Sequence, residues 1–327
     1  MNNNIKILIT GANGYIGNCL YYFLKGKFKV IGIDKETTFN SKIFKCDILN
    51  IKKLDQILKK EKPEIVVHLA AQSLVDETIN KQKYYRNNVI ATNCLLHAMK
   101  KNSIKKIIFS STAAVYRQNP RTLKENSKLK PISTYAKTKL VCEKNIIKQK
   151  NIKSVILRFF NVCSALIKPC IGELHNPETH LIPTIVYKAI YNKKIYIYGN
   201  DFPTADGTCI RDYIHIKDIC SAIEKSVKFL LNKKKSKIFN IGNYKGLSNQ
   251  EIVNYINKNV KKKINLKYVN RRKGDISRLI CNPNKAKKLL TWEAKNSNLR
   301  QIIHDEINWV KKLNKLNLER RFKNYLK

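Results

Sequence analysis

Short apolar runs recur through the first half of the chain, and between them lie longer stretches whose apolar residues return at helical spacing. Residues 5–9, 29–33, 43–45, 65–69, 106–110 and 154–158 read as strands, while 52–60, 84–101 and 134–149 read as amphipathic helices. Alternation of this kind predicts an α/β fold, a doubly wound parallel sheet of Rossmann type wrapped by helices. Beyond residue 161 the rhythm loosens into longer loops, such as 168–179 with its two prolines, and shorter elements. The expected organisation is a first domain over 1–161 and a smaller C-terminal α/β lobe over 162–327. One later run, 238–242, looks like a buried strand that returns to the first domain.

The segment Thr10-Gly11-Ala12-Asn13-Gly14-Tyr15-Ile16-Gly17 follows the first strand directly and opens a helix. Glycine removes the side chain where backbone and pyrophosphate, or helix and strand, must approach closely. In this setting Gly11, Gly14 and Gly17 mark a dinucleotide phosphate site on a helix N-terminus. Asp34 closes the second strand, near the ~20-residue separation at which a carboxylate meets the adenosine ribose hydroxyls. An acid there repels a phosphorylated ribose, so NAD is favoured over NADP.

Tyr135-Ala136-Lys137-Thr138-Lys139 sets a phenol and an ammonium one helical turn apart on one face. A phenol with a pKa of about 10 is a poor base near neutrality, and lowering it by ~3 units takes roughly 4 kcal/mol. An ammonium at ~4 Å supplies about that much at an effective dielectric of ~20, and an oxidised nicotinamide ring adds a second positive charge. Ser110-Ser111-Thr112-Ala113-Ala114-Val115-Tyr116 follows the fifth strand and brings hydroxyls to the carboxyl end of the sheet, where ligands bind. Thr112 is placed to hold a reacting hydroxyl or pass a proton.

Charge changes the picture less than its size suggests. The 327 residues include 65 Lys and Arg against 23 Asp and Glu, a formal net charge of +42. Such a sum points toward nucleic acid or an anionic membrane. The lysines, however, stand singly or in short runs such as Lys59-Lys60, Lys233-Lys234-Lys235 and Lys261-Lys262-Lys263, with no basic arm. No specific nucleic-acid partner is expected, although a positive field attracts a diphosphate. Nine scattered cysteines without a C-x-x-C pair read as the buried thiols of a reduced, cytoplasmic protein. The six histidines neither pair at ligand spacing nor fall beside cysteines, so no structural metal is expected. Without a signal-like segment or a bilayer-length apolar run, no membrane partner is expected either.

With these motifs the chain resembles the extended short-chain dehydrogenase/reductases, and among them the UDP-glucose 4-epimerases, over nearly its whole length. Matching stretches include Cys46-Asp47-Ile48, His68-Leu69-Ala70-Ala71, Tyr84-Tyr85-Arg86-Asn87-Asn88-Val89 and Leu157-Arg158-Phe159-Phe160-Asn161-Val162. The longest is 198–215, YGNDFPTADGTCIRDYIH. The resemblance implies that Tyr15, Ile16, Asp34, Asp47, Ile48, Leu69, Ala70, Ala71, Asn87, Tyr135, Lys139 and Phe160 hold NAD, with Asp47 and Ile48 flanking adenine. It implies a UDP-sugar substrate contacted by Thr112, Asn161, His180 and Leu181. Tyr198 would lie near uracil, Arg211 and Arg272 at the diphosphate, and Asp275 at the uridine ribose. A homodimer paired through 84–101 and 134–149 is implied as well.

The chemistry implied is transient oxidation at sugar carbon 4, with Tyr135 as base, rotation of the oxidised sugar, and return of hydride to its opposite face. Two departures from the pattern bear on the sugar pocket. Arg117 stands where glycine is usual, either narrowing the pocket or pointing to solvent, and Leu279 stands where acceptance of N-acetylated sugars is gated. A 4,6-dehydratase needs an acid pair where this chain has Ala113-Ala114, so elimination is not expected. Epimerases of UDP-uronic acids or UDP-N-acetylhexosamines differ only in pocket contacts and stay open. A non-enzymatic NAD-binding or RNA-binding relative is disfavoured by intact Thr112, Tyr135 and Lys139.

Overall fold

Alternate side chains of the predicted strands are buried on opposite faces of one sheet, and that two-sided burial explains why the strands are apolar throughout. The computed structural model describes residues 4–36, 42–73, 80–117, 119, 121–175, 178–233, 235–260, 264–272 and 275–315. Lys234, the 261–263 lysine run, and Asn176 and Pro177 of the predicted 168–179 loop lie outside them. Strands β1 (Lys6–Thr10), β2 (Lys29–Asp34), β3 (Ile43–Lys45), β4 (Ile65–His68), β5 (Lys106–Thr112) and β6 (Lys153–Phe159) fall within two residues of the predicted ranges. With an outer strand, Lys237–Ile241, they form a seven-stranded sheet ordered outer strand, β6, β5, β4, β1, β2, β3. All neighbours pair in parallel.

Ile7 and Ile9, with Ile65, Val67, Leu157 and Phe239, face the layer formed by helices Tyr15–Leu24 and Ile216–Lys233. Leu8, Ile33, Val66, Phe109 and Ile156 face the opposite layer, built from helices Ile51–Glu61, Ala91–Lys101 and Thr134–Ile147. The chain reverses direction across the sheet at β1, whose neighbours are β2 and β4. That reversal opens a crevice at the carboxyl ends of β1 and β4, the usual seat of a ligand in this architecture.

A smaller set of elements closes over the crevice. Strand Asn161–Cys163 runs parallel to Ile210–His215, which also pairs with Gly246–Ser248 and Arg278–Leu279. Strands Ile195–Tyr198 and Leu266–Val269 form a separate parallel pair. Ile182, Ile185 and Val186 pack with Ile252, Ile256, Ile302 and Val310 beneath them. All nine cysteines are unpaired and seven are buried. Among the described residues no helix is long and apolar enough to cross a membrane.

Behind the crevice lies a buried charge network. Glu143, on the inner face of helix Thr134–Ile147, takes a bidentate pair from Arg158 of β6, with Nη2–Oε2 at 2.7 Å and Nε–Oε1 at 3.0 Å. Ser111 of β5 donates to the same carboxylate. Arg158 donates further to the Tyr116 hydroxyl at 2.9 Å, which donates to Asn240 of the outer strand at 2.6 Å. Removing one partner of such a pair strands a charge in the interior. Arg158→Ala is therefore expected to cost about 3–5 kcal/mol of stability, read by urea denaturation; a loss below ~1 kcal/mol would show that the pair is not load-sharing.

Candidate active site

The glycine loop is shaped by contacts that only glycine permits. Gly11 has φ +70°, and a Cβ there would stand 2.8 Å from the Ala70 backbone. At Gly17 a Cβ would meet the Gly11 carbonyl at 2.0 Å. Gly14 caps helix Tyr15–Leu24 with no side-chain hydrogen bond, leaving the helix N-terminus open for an anion. The loop is therefore a backbone cradle of the kind a pyrophosphate needs.

Asp34 accepts from the Asn13 amide at 2.9 Å and from Glu36 at 3.0 Å, so its carboxylate stands against the glycine loop. Asp47 caps its own turn through Leu49 at 2.9 Å, and Ile48 beside it is buried. The two carboxyl ends are joined because the Cys46 amide donates to the Asp34 carbonyl at 2.7 Å. On the other side of β1, Leu69 and Ala70 donate to Thr10 Oγ1, each at 3.2 Å, and Ala71 follows, partly buried. Gly11, Asp34, Asp47, Leu69 and Ala70 thus line one continuous rim.

His68 holds that rim and escaped the sequence reading as a side chain with work to do. Its Nδ1 lies 2.7 Å from Thr10 Oγ1 and its Nε2 3.0 Å from Thr92 Oγ1. Thr92 spends its proton on the Asn88 carbonyl, so Nε2 is the donor and Nδ1 accepts from Thr10. Burial, reinforced by Lys139, pushes the imidazole pKa down to about 3, and the ring stays neutral.

Helix Lys81–Tyr84 runs through a π turn, Tyr85–Ile90, into Ala91–Lys101. Its extra residue turns Asn88 inward, where Nδ2 donates to Thr138 Oγ1 at 2.9 Å and Oδ1 accepts from the Gln72 amide at 2.8 Å. Asn87, adjacent, is partly exposed. Asn88 was not among the predicted site residues, yet it ties the cofactor-side loop to the Tyr135 helix.

Tyr135 and Lys139 do share one face of helix Thr134–Ile147, which Ser133 caps through Ala136 at 3.2 Å. Thr112, whose Oγ1 accepts from the Ala114 amide at 3.1 Å, is near enough to Tyr135 to favour its phenolate. One expectation needs correction. Lys139 Nζ is buried, donates to the Ser110 carbonyl at 2.7 Å and stands 6.0 Å from the Tyr135 ring centre. Burial pushes the phenol up to about 12 and the ammonium down to about 8. The lysine alone therefore does not bring the phenol down, and in any catalytic use of Tyr135 the positive charge of an oxidised nicotinamide would have to supply most of the stabilisation of phenolate.

Across the crevice, Asn161 pairs with Tyr213, and Phe160 is buried among Val115, Tyr116 and Cys281 with Leu279 packed against them. Arg117 is exposed, so of the two readings its solvent-facing one holds. Arg211 faces Asp275 at 3.9 Å, and the Asp275 amide donates to the Arg272 carbonyl at 3.1 Å. Arg272 stacks 3.8 Å over the Tyr198 ring. Four predicted residues thus converge as one cationic, aromatic corner. Tyr15 is committed elsewhere: its hydroxyl donates to the Ser164 carbonyl at 2.5 Å, and Ile16 packs into the core, leaving their backbone toward the cradle. The His180 ring turns to Glu173 and Glu178, while Leu181 begins helix Leu181–Ile190.

Residues 7–242 match the NAD dependent epimerase/dehydratase family. The UDP-glucose 4-epimerase of Rhizobium meliloti (strain 1021) is 36% identical, covering 96% of this chain and 99% of that protein. The crystal structure of UDP-glucose 4-epimerase from Brucella ovis in complex with NAD superposes with a TM-score of 0.88 at 32% identity, over 93% of this chain and 98% of that one. The UDP-Glc/GlcNAc 4-epimerase of Campylobacter jejuni gives a TM-score of 0.80 at 31% identity, covering 94% and 99%. A glycine backbone cradle, an acid standing against it and a helix face carrying Tyr and Lys thus stand in a sequence and fold shared over nearly the whole length with these proteins, and the chain belongs to the NAD dependent epimerase/dehydratase family.

Proposed function

We propose that the chain is an NAD-dependent UDP-glucose 4-epimerase that interconverts UDP-glucose and UDP-galactose. The observation that carries this reading is Tyr135 and Lys139 on one helix face, with the Lys139 ammonium buried on the Ser110 carbonyl of the strand that ends at Thr112, at the carboxyl end of a sheet whose glycine cradle fits a dinucleotide. The residues of 1–161, with the 238–242 strand, hold the cofactor in this account, and the remainder of 162–327 supplies the nucleotide-sugar contacts. When bound, NAD supplies a reversible hydride acceptor and a positive charge beside Tyr135. Thr112 holds the sugar 4-hydroxyl while Tyr135 takes its proton and later returns it from the same position. Lys139 fixes the helix face and keeps positive charge under the phenol. Arg211 and Arg272 grip the diphosphate, with Asp275 and Tyr198 at the uridine. Strong binding at UDP and weak binding at the hexose lets the oxidised sugar turn its other face before reduction.

Leu279 favours keeping a second substrate in view. It packs behind Phe160 as a half-buried wall, and a solved relative acts on both UDP-Glc and UDP-GlcNAc. Purified protein incubated with UDP-galactose, and separately with UDP-N-acetylgalactosamine, should convert the first to its 4-epimer without added reductant. Failure with both, while NAD is bound, would overturn the epimerase assignment to these sugars. Tyr135→Phe should retain NAD and lose at least ~100-fold in kcat; near-normal turnover would exclude Tyr135 as the base.

The apolar exposure on two helices supports a homodimer. Tyr85, Ile90 and Val141 are 52%, 42% and 37% exposed and line one groove between the Tyr85–Ile90 turn and helix Thr134–Ile147. Equilibrium sedimentation should give twice the chain mass, and a monomer at micromolar concentration would reject this surface as the interface.

A further inference from the structure

Beside the substrate face, in the 173–180 loop, four metal-ligating side chains meet. Glu173, His175, Glu178 and His180 each direct one donor atom into a space where all four lie within 4.8 Å of one another. From the sequence no structural metal is expected, because the six histidines neither pair at ligand spacing nor fall beside cysteines. The His175 and His180 rings lie 5.4 Å apart, centre to centre.

Their arrangement is unlike a simple set of ion pairs. Two imidazole Nδ1 atoms converge on one oxygen, Glu173 Oε1, at 2.8 Å from His175 and 3.0 Å from His180. The second oxygen, Glu173 Oε2, is buried without a hydrogen-bonding partner, as is Glu178 Oε2. Glu173's side chain is only 3% exposed, so water does not solvate it. Donors held ~2.1 Å from a four-coordinate ion sit ~3.4 Å from one another. The observed separations have that scale.

A third acid stands behind the cluster. Glu306, on helix Leu299–Lys315, is fully buried, and neither of its oxygens makes a well-formed hydrogen bond. On the side of the cluster away from the two imidazoles, Glu173, Glu178 and Glu306 line a cavity of about 20 Å³, with Thr184, Lys188 and Trp309 in its wall. That is room for one water or one ion.

We infer that Glu173, His175, Glu178 and His180 form a binding site for a single divalent first-row transition metal, with Glu306 as the acid behind it. Two imidazoles among carboxylates suit Zn²⁺ or a similar ion better than Mg²⁺ or Ca²⁺, which prefer oxygen alone. The ion would pin the 173–180 loop to helices Leu181–Ile190 and Leu299–Lys315. The inference concerns metal uptake and stands independently of the epimerase reading.

The test uses the full chain without an affinity tag, stripped with chelator and titrated with Zn²⁺ against a chromogenic competitor. One equivalent per chain should bind, and both His175→Ala and Glu173→Gln should weaken binding by ~10-fold or more. His304→Ala, whose ring is two-thirds exposed elsewhere on the Leu299–Lys315 helix, should bind as the unaltered chain does. Because the acidic variant could misfold, Co²⁺ loading of the unaltered chain gives a second readout: a visible d–d band abolished by one equivalent of Zn²⁺. Uptake below half an equivalent, no Co²⁺ band, or equal binding by His175→Ala would each overturn the site.

Discussion

The Glu143–Arg158 pair is the contact on which the rest of the catalytic face depends. Helix Thr134–Ile147 carries Tyr135, Lys139 and Glu143 at successive turns, so fixing the rotation of one fixes all three. Two parallel hydrogen bonds from a planar guanidinium permit little rotation. Arg158 sits in β6, Ser111 in β5 and Asn240 in the outer strand, so the helix is indexed against three strands at once. Burying two charges is costly, and an apolar pair of the same size can be as stable. What an apolar pair lacks is direction.

A second, neutral network does the same for the cofactor side. His68 joins Thr10 of β1 to Thr92, and Asn88 joins the 69–73 loop to Thr138. The rim that faces a dinucleotide and the helix that carries the phenol are thereby parts of one hydrogen-bonded assembly. Keeping His68 uncharged is essential here, because a second positive charge beside buried Lys139 would oppose both.

Local pattern carried much of this into view. The six strands, the glycine loop and the Tyr135–Lys139 spacing follow from periodicity and from what backbone sterics allow, and these are properties of neighbouring residues. Arg211, Arg272, Asp275 and Tyr198 were named through resemblance, and the fold does bring them to one corner, though with Arg272 lying on the Tyr198 ring. What stayed hidden depends on residues distant in sequence. Glu143 and Arg158 look like ordinary surface charges until β6 passes under the helix. The π turn needs Asn88 to find Gln72 and Thr138. The effect of Lys139 on Tyr135 was misjudged because burial, which raises the phenol, and the Ser110 carbonyl, which holds the ammonium, are tertiary facts. His175 and His180 seemed unrelated because loop geometry, unlike helix or strand geometry, has no period from which to read a meeting point.

The hydrogen bond from Tyr15 to the Ser164 carbonyl has a mechanical consequence. Tyr15 opens the helix that faces the phosphate cradle, and Ser164 donates in turn to the Ile302 carbonyl at 2.9 Å. The cradle helix and the Leu299–Lys315 helix are thus joined by a two-link strut with no slack in it. The cleft has a fixed gauge, set by the length of one phenol.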